Sequence, residues 1–545
     1  MGLKSFARSV VKAVVSPVKI LTKVFKMNPK LAILAVAATW LFGSLLSRKE
    51  NPDFGNTEFD NFEQGILLNK QSNDASLPVV YGERLIGGTR IFIETTGTDN
   101  NFLYIALVLS EGEINAISEV RVDDRVVTFN GSLTDNTQRT VASSDSNFYK
   151  DGVSHLTIEP HFGSDGQSSS ALLSELSSWG SNHKLSGVAY VALKFKWNQD
   201  IYSGIPRVQC KIQGKKIVTL ASNLAEQTAS FSTNPAFCLL DYLRNERYGK
   251  GVPTSDIDLQ SFYDASQVCV TQVTPFSGSP TINIFDTNTV LDTSKKVIEN
   301  VRDLLGACRG FLPFVQGKYK LVIETTGSSV LNITEDNIIG GFNLASPDKN
   351  NKYNRVIVSY VNPDRNYQVD QAQFPPIDDS SLPSADQHAT MKSVDGGFLL
   401  EGRFDFPTIT NTYQAEEMAE IILRRSREAI ALDITVDFNA YELAIGDIVA
   451  VTHTSVGFTA KLFRVMNLTF NEDFTIKLLL IEHQDSHYTY ATKQQVASTP
   501  TTNLPSPFTI QPPAGITLSD EMIEYADGVV LTRLNILITA SPDSF

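Results

Sequence analysis

The stretch SLPVVYGERLIGGTRIFI, residues 76–93, decides how the fold begins. A proline opens an apolar run, which is interrupted first by a Tyr-Gly pair and then by a Gly-Gly pair. No Lys-Ser or Lys-Thr follows the glycines and no helical pattern opens behind them, which argues against a phosphate-binding loop. The stretch predicts two short β-strands hinged on glycine turns.

The chain has 545 residues, which is too long for one hydrophobic core and predicts about three or four domains. Its hydrophobic content of 42% is typical of folded globular proteins. The cysteines are far apart and form no C-x-x-C motif, which disfavours a zinc site or a thioredoxin-type redox site. They are Cys210, Cys238, Cys269 and Cys308. So few cysteines fit synthesis in a reducing compartment such as a bacterial cytoplasm.

Charge is distributed very unevenly along the chain. Residues 1–49 contain nine Lys or Arg and no Asp or Glu, and the net charge of the whole chain is −14. The remaining residues therefore carry −14 − 9 = −23. An acidic body argues against a sequence-reading nucleic-acid binder. It is compatible with a surface past which DNA slides without sticking.

The N-terminal segment combines basic and apolar sequence. Residues 5–26 predict a basic amphipathic helix with a break at Pro17, and residues 31–47 carry no charge. A length of 17 residues is at the short limit for a membrane span. A signal peptide is disfavoured because the basic region is too long. Two interpretations stay open, a membrane-active anchor and, preferred here, a helix buried among partner chains.

Alternating apolar residues, turn signals and helical stretches divide the body into segments. They predict strands within 102–124 around a Glu-Gly turn, and a strand–turn–strand about Gly214. Residues 163–186 are Ser/Gly-rich and predict a surface excursion, and residues 365–400 predict a linker or long loop. The predicted organisation is 1–50 N-terminal helices, 51–220 a first β-rich domain with loop insertions, 221–330 a helical insert and α+β domain, 331–490 a second β-rich domain, 491–515 a linker, and 516–545 the start of a β-sandwich module.

Helix signals are local and specific. Asn234 followed by Pro235 predicts a capped helix start, and a second helix is expected to begin at Ser255. Residues 293–324 predict a helix followed by a hairpin about Gln316-Gly317, and residues 412–430 predict the longest helix of the body. The last 30 residues are too few to close a sandwich core. We therefore expect that the native chain extends beyond Phe545, or that its ordered part ends there, or that another chain completes the module.

Two clusters of polar residues were weighed as chemical sites. His155, Glu159 and His161 have spacing suitable for metal ligands on a strand, but Pro160 favours a solvated loop. His483, Asp485 and His487 alternate in the same way directly after a strong strand, which favours a polar strand end. We predict no catalytic, cofactor-binding or metal-binding residue from either cluster.

Sequence motifs of common enzymes are missing from the chain. It contains no G-x-S-x-G, H-E-x-x-H or G-x-x-x-x-G-K-[ST] sequence. Carboxylates are plentiful, so a glycosidase pair stays open. The sites Asn130, Asn332 and Asn467 would be glycosylated only in a secretory pathway, which nothing in the sequence indicates.

The order of several segments resembles the tail tip or hub proteins of long-tailed bacteriophages, the host-specificity (J-type) family. The segments are LPVVYGERLIGGTRIF, NPAFCLLDYLRNERYGKG followed by DIDLQSFYDASQVC, LLGACRGFLPFVQGKYKLVIE, and YNRVIVSYVNPDRNY. Together they cover residues 65–365, and residues 412–480 fit more loosely. The resemblance implies a mainly β, multidomain hub with β-barrel or sandwich domains, α+β inserts and the start of a C-terminal fibronectin-like module. The N-terminal helices are predicted from the residues alone, because that segment matches no general motif of the family.

The resemblance also implies a function. The protein is expected to be a structural virion component, not an enzyme, made in the host bacterial cytoplasm and located at the distal end of the phage tail. A homotrimeric ring would close the tail tube with an acidic or neutral lumen, and DNA would pass through it without specific binding. The implied partners are the distal tail protein, other tail-tip subunits, the tape-measure protein and tail fibres. From its charge and apolar pattern, and not from the resemblance, the segment of residues 1–47 is expected to form helices on the threefold axis, with host membrane contact as an alternative.

Two other functions were weighed against this one. A tail-associated hydrolase that degrades cell wall or capsule is the first alternative, and a membrane-anchored cell-surface protein of β-sandwich type is the second. Loss of wall-degrading activity on mutation of a Glu/Asp pair would favour the hydrolase, whereas threefold symmetry would favour the hub.

Overall fold

A computed structural model of the chain describes residues 65–70, 76–345, 352–428, 430–490, 492–493, 515–525 and 528–538. The predicted N-terminal helices in residues 1–50 and most of the predicted linker in residues 491–515 lie outside the described residues. The chain divides into two compact units, one ending at Lys493 and one in residues 494–545, and each is described by itself.

The first β-domain is a sandwich of two antiparallel sheets. In spatial order, the five-stranded sheet consists of Thr89–Thr96, Phe102–Glu111, Val188–Lys196, Leu156–His161 and Arg139–Thr140. The four-stranded sheet consists of Glu83–Ile86, Val208–Lys215, Ile114–Val122 and Arg125–Val126. Alternate side chains of both sheets, such as Leu107 and Ile212, are buried in a shared core. A small hairpin, Tyr149–Lys150 with Val153–Ser154, lies beside them.

The stretch quoted at the outset forms three consecutive strands, and each strand belongs to a different sheet. Pro78–Tyr81 pairs with Thr289–Asp292, Glu83–Ile86 joins the four-stranded sheet, and Thr89–Thr96 forms one edge of the five-stranded sheet. Gly82 and Gly88 separate the strands with φ of +68° and +70°, a region that residues with a Cβ rarely adopt. The predicted glycine hinges are therefore real, but they join three strands instead of two.

Three helices follow the sandwich. They are α1 (Pro235–Arg244), α2 (Leu259–Cys269) and α3 (Val297–Gly306). The Asn234 side chain caps α1 by accepting a hydrogen bond from the Ala236 amide at 3.0 Å, as predicted. Asp258 caps α2, so the prediction of a start at Ser255 is wrong by several residues. The apolar faces of the helices pack in one core with the strand pair 78–81 and 289–292.

Short hairpins accompany the helices. They are Gln272–Val273 with Ile282–Asn283, Gly310–Phe311 with Val322–Ile323, and Phe314–Val315 with Lys318–Tyr319. The last of them turns at Gln316 and Gly317, whose φ values of +52° and +80° fit a two-residue hairpin turn. The predicted hairpin about these two residues is confirmed.

The second β-domain contains a curved six-stranded sheet. In spatial order its strands are Leu331–Ile333, Ile448–His453, Phe458–Phe470, Ile476–Glu482, Ala431–Val436 and Ile338–Ala345. The two edge strands are consecutive in sequence, and the connection between them spans at most about 18 Å. A flat sheet of six strands would be about 24 Å wide. The sheet therefore curls into a partly closed barrel around its own core.

A three-stranded sheet and two helices complete this region. The strands, in spatial order, are Gln368–Phe374, Arg355–Asn362 and Glu401–Asp405. The helices are α4 (His388–Val394) and α5 (Thr412–Glu428). Met418 and Ile422 of α5 pack on Val356 and Val358 of the central strand, as the predicted apolar face requires.

The second unit contributes one described hairpin, Ile516–Glu524 with Val530–Ile538. Directly paired residues share a face of the hairpin, and one face carries mostly apolar side chains. The apolar side chains of that face are Ile516, Leu518, Met522, Val530, Leu534, Ile536 and Ile538. An isolated hairpin is marginally stable in water.

Two local predictions are corrected by the structure, and a third is refined. Gly214 is not a turn but lies inside the continuous strand Val208–Lys215. Residues 163–186 lie at the surface as predicted, with most side chains exposed, but Leu172, Leu173 and Trp179 pack on the outer face of the five-stranded sheet. Residues 365–400 are not a bare loop, because they contain the strand Gln368–Phe374 and α4. Each error concerns a segment whose partner is distant in sequence. The prediction of a mainly β fold with α+β inserts is confirmed.

Candidate functional site

Residues 78–90 form a junction at which polar side chains connect several parts of the fold. Tyr81 donates a hydrogen bond to the carboxylate of Asp241 on α1. Lys215 Nζ reaches both oxygens of the same carboxylate at 2.7 and 2.8 Å, and Tyr248 donates to it at 2.9 Å. Burial, and then the charge of Asp241, raise the pKa of Tyr81 well above its ordinary value, so its hydroxyl stays a donor. This cluster fixes α1 to the sandwich.

Arg84 connects the junction to the second half of the chain. Its side chain is buried, and its Nη1 donates to the carbonyl oxygens of Asn288 at 3.3 Å and Pro407 at 3.4 Å. Its guanidinium lies 6.0 Å from the ring centroid of Tyr367, within range of a cation–π contact. The neighbouring Glu83 accepts a hydrogen bond from Tyr367 at 3.2 Å.

The side chain of Asn288 closes the same junction. It accepts a hydrogen bond from the Glu83 amide at 2.7 Å and donates to the Thr410 hydroxyl at 2.8 Å. No contacts were predicted for Glu83 and Arg84. A Glu-Arg pair inside an apolar strand could have indicated them, because a buried charge requires polar partners. The junction therefore holds three sheets and α1 together.

His155, Glu159 and His161 lie where the sequence analysis did not expect them. Pro160 does not interrupt the strand Leu156–His161, and it is paired with Val191. The three polar side chains are buried, with His161 fully enclosed, so the solvated-loop interpretation is wrong. The reason is that residues 164–186 cover this face of the sheet.

Glu159 organises the covering segment. Its carboxylate accepts hydrogen bonds from the Ala171 amide at 3.0 Å, the Leu172 amide at 2.6 Å and the Ser170 hydroxyl at 2.9 Å. His161 Nε2 lies 3.2 Å from the same carboxylate, and the His161 ring stacks on Tyr190 at 4.4 Å. Burial opposes ionisation of Glu159, but the hydrogen bonds from His161 and the two amides outweigh it and lower its pKa to about 2. A permanently ionised Glu159 serves as an anchor for the loop.

The second cluster lies directly after the strand Ile476–Glu482, as expected for a polar strand end. Its two histidines, His483 and His487, are nevertheless buried, whereas the Asp485 side chain is 51% exposed. His483 Nε2 lies 2.9 Å from Asp485, and its Nδ1 lies 3.3 Å from the buried guanidinium of Arg464. Burial and the charge of Arg464 lower the pKa of His483, which favours a neutral ring. Arg464 in turn donates to the carbonyl oxygens of Gly446 and Thr325, each at 2.7 Å.

The cysteine thiols are enclosed. All four cysteines are buried as free thiols, and burial raises the pKa of Cys210 to about 12. Among the described residues, no group of three or more His, Cys, Asp or Glu is placed to hold a metal ion. In that same part of the chain, no helix is both long and apolar enough to cross a membrane.

A carboxylate cluster on α5 was missed by the sequence analysis. Lys493 Nζ lies 3.0 Å from Glu417 and 3.1 Å from Glu420. Burial raises the pKa of the neighbouring Glu416 to about 7; Lys493 opposes the shift, and the charges of Glu417 and Glu420 add to it. The cluster fixes Lys493 to α5 at the C-terminal end of the first unit. The three glutamates within five residues of α5 could have indicated that a cation lies beside this helix.

The fold and its interlocked junction define a multidomain, β-rich protein whose polar clusters join segments of its own chain. A family model described as a putative phage tail protein matches residues 296–468, which run from α3 into the six-stranded sheet. The predicted resemblance to phage tail tip and hub proteins is confirmed by this match and by two known proteins.

The first known protein is the baseplate hub protein pb3 of Escherichia phage T5. It is 24% identical to this chain over 461 residues, which cover 75% of this chain and 47% of pb3. The chain thus spans about half the length of this relative. The second is a chain in the solved virion of a native gene transfer agent particle, with a TM-score of 0.52 at 14% identity, covering 86% of this chain and 99% of that chain. At that identity the likeness shows the fold.

These similarities support a structural role in a phage tail or baseplate and a place in the virion. They are consistent with a protein that is not an enzyme. A structural role also fits the polar clusters described above, because their contacts join parts of this chain to one another.

Proposed function

We propose that this protein is the hub of a phage tail tip. Three copies form a ring that closes the tail tube at its distal end. The ring binds the tape-measure protein and the distal tail protein, and it anchors fibres or other receptor-binding parts. Its assembly positions the tip for host attachment and genome delivery.

Two β-domains in one compact unit carry this proposal. The sandwich and the curved six-stranded sheet are fixed through the junction and α5, so that each copy is a rigid segment of a ring. The fold shared with a chain of the gene transfer agent virion supports the same role. A ring of such segments provides a wall without requiring any catalytic group.

The charge of the body supports the passage of DNA. The whole chain has a net charge of −14, and residues 1–49 carry nine positive charges and no negative ones. The remaining residues therefore have a net charge of −14 − 9 = −23. We infer a lumen surface that is acidic or neutral, because clustered Lys and Arg would hold DNA through its phosphates. The lysines and arginines that pair within the described chain, such as Lys215 with Asp241, are already neutralised.

The oligomeric state tests the proposal directly. The full chain, or the protein within purified tails, is measured by native mass spectrometry. Three copies per assembly are expected. A monomer at every concentration, or a ring with six copies of this chain, contradicts the proposal.

The N-terminal segment has its own test. We propose that residues 1–47 act on the threefold axis, packed against the tape-measure protein or one another. A chain without these residues is expected to keep the thermal unfolding of the body and to fail in tail assembly or genome delivery. Normal tails with wild-type infectivity would show that the segment is dispensable.

A further inference from the structure

An apolar pocket opens at one end of the sandwich. Its volume is about 510 Å³, and it lies between the edge strand Thr89–Thr96 and the loop that follows Lys196. The apolar lining residues are Ile93, Leu103, Phe195, Trp197, Tyr202, Ile205 and Pro206. Trp197 and Ile205 are 51% and 58% exposed, so the pocket presents large apolar side chains to its surroundings.

The pocket exists because the two sheets differ in extent. Ile93 points to the same side of the five-stranded sheet as Leu103 and Phe195, which face the core, but it is 37% exposed. The four-stranded sheet does not cover this corner. The polar side chains of the lining are those of Glu94, Thr95 and Asn100, so the pocket presents mainly apolar surface.

A cluster of exposed aromatic rings projects from the second β-domain. It consists of Phe438, Tyr441 and Phe474, which are 50%, 51% and 75% exposed. Phe438 stacks on Tyr441 at 5.3 Å and meets Phe474 edge-on at 6.2 Å. We call these three residues the aromatic knob. Its exposed area is on the order of 350 Å², which reaches the size of surface patches that usually have a function.

Phe474 is held in a costly backbone conformation. Its φ of +61° lies in the left-handed region, which glycine adopts freely and aromatic residues rarely adopt. The turn is fixed by the Asn471 amide, which donates to the Thr475 carbonyl at 2.9 Å, and by Asp473, which accepts from the Thr475 amide at 3.1 Å. Strain of this kind persists where the projecting side chain has a use.

We propose that the aromatic knob of one copy inserts into the pocket at Trp197 of a second copy. A cavity of about 150 Å³ accommodates one benzene ring. The pocket of about 510 Å³ therefore has room for three rings, which is the number in the knob. Aromatic anchors that fill an apolar pocket are the usual centre of a stable protein interface.

A second copy is the occupant that the placement favours. The knob and the pocket belong to different β-domains of one compact unit, so the contact between copies is head-to-tail. Head-to-tail contacts close into a ring when the rotation allows it. The inference thus rests on the proposed trimeric ring and specifies which surfaces form its subunit contacts.

Cysteine cross-linking of the full chain tests the contact. The double variant Phe474→Cys with Ile205→Cys places one thiol on the knob and one in the pocket, while the four native cysteines are buried. Mild oxidation is expected to give a covalent trimer on a non-reducing gel. Each single variant is expected to stay at the monomer position, because the contact is not symmetric.

Native mass spectrometry of the same samples separates the possible failures. A trimer that does not cross-link, although both cysteines react with maleimide, overturns the knob-in-pocket contact and leaves the ring proposal intact. A monomer at every concentration overturns both.

Charge substitution provides a second measurement. Phe474→Glu and Trp197→Glu are each expected to weaken trimer formation at least tenfold. The matched control is Val394→Glu, which alters an apolar side chain that is 71% exposed on α4. All three variants change surface side chains, and unchanged thermal unfolding of the individual chains verifies their folding. Equal trimer stability in all three would contradict the proposal.

Discussion

Gly214 lies directly against the backbone of Val80: a Cβ on Gly214 would be 2.2 Å from the Val80 carbonyl oxygen. The Gly214 amide donates to the Gly82 carbonyl at 2.7 Å. The strand Val208–Lys215 therefore passes the point where the motif leaves one sheet and enters another. At this point the two segments approach so closely that only a residue without a side chain fits at position 214.

Gly214→Ala is expected to destabilise the sandwich by about 1–3 kcal/mol or more, because a backbone carbonyl cannot move as a flexible side chain can. Thermal unfolding followed by circular dichroism measures the loss. The control is Gly166→Ala, since nothing lies within 4 Å of a Cβ at that position. Equal melting temperatures of the two variants would show that the junction tolerates the extra atom.

Removal of one partner from the Asp241–Lys215 pair is expected to cost more than removal of both. Asp241→Asn alone leaves the Lys215 ammonium largely buried without its ion partner, and Lys215→Met alone leaves the carboxylate. A double-mutant cycle by denaturant unfolding should give a coupling energy of about 1–3 kcal/mol. Additive effects would contradict the assignment of this pair as the link between the sandwich and α1.

Glu159→Gln is expected to destabilise the chain at neutral pH. The folded-state pKa of about 2 lies below the unfolded value of 4.5, so Glu159 contributes stability above pH 4.5 that is lost as the pH falls through about 2. The shift corresponds to a contribution on the order of 3 kcal/mol. The difference in unfolding free energy between wild type and variant should be large at pH 7 and smaller at pH 3. The matched control is Glu246→Gln, which makes the same change on an exposed side chain.

Glu416→Gln is expected to stabilise the chain at alkaline pH. The folded-state pKa of about 7 lies above the unfolded value of 4.5, so the stability associated with Glu416 is fully present below pH 4.5 and is lost as the pH rises through about 7. The variant should gain about 2–3 kcal/mol at pH 8 and little at pH 4.5.

The matched control for Glu416 lies one turn away on α5. Glu420 is half-buried, and although burial opposes its ionisation, Lys493 and Arg424 lower its pKa, so Glu420→Gln should destabilise the chain at pH 8. Thermal unfolding at the two pH values distinguishes the variants. A loss of stability in both variants at pH 8 would contradict a raised pKa at Glu416.

Signals carried by neighbouring residues were read correctly from the sequence. The cap at Asn234, the turn at Gln316 and Gly317, and the long helix α5 depend on hydrogen bonds and side-chain spacing within a few residues. The mainly β fold followed from the alternation of apolar residues in the same way. The order of these segments carried the resemblance to phage tail hubs.

Errors arose where the partner of a segment is distant in sequence. The polar strand Gln368–Phe374 forms because Arg355–Asn362 pairs with it. Glu159 and His161 are buried because residues 164–186 fold over them. No property of a ten-residue window distinguishes a solvated polar strand from one that another segment covers.

The sequence by itself determined the class of fold, the start of α1 at Asn234, the position of α5 and the positions of the glycine hinges, because those properties depend on local backbone and side-chain preferences. Only the tertiary structure decided that the three strands of residues 78–96 enter three different sheets, that Arg84 and Glu159 are buried, and that Asp241, which is half-buried, has partners far along the chain. Strand pairing and burial of charge are set by contacts between distant segments, and the free energy of such contacts exists only once the chain has brought them together.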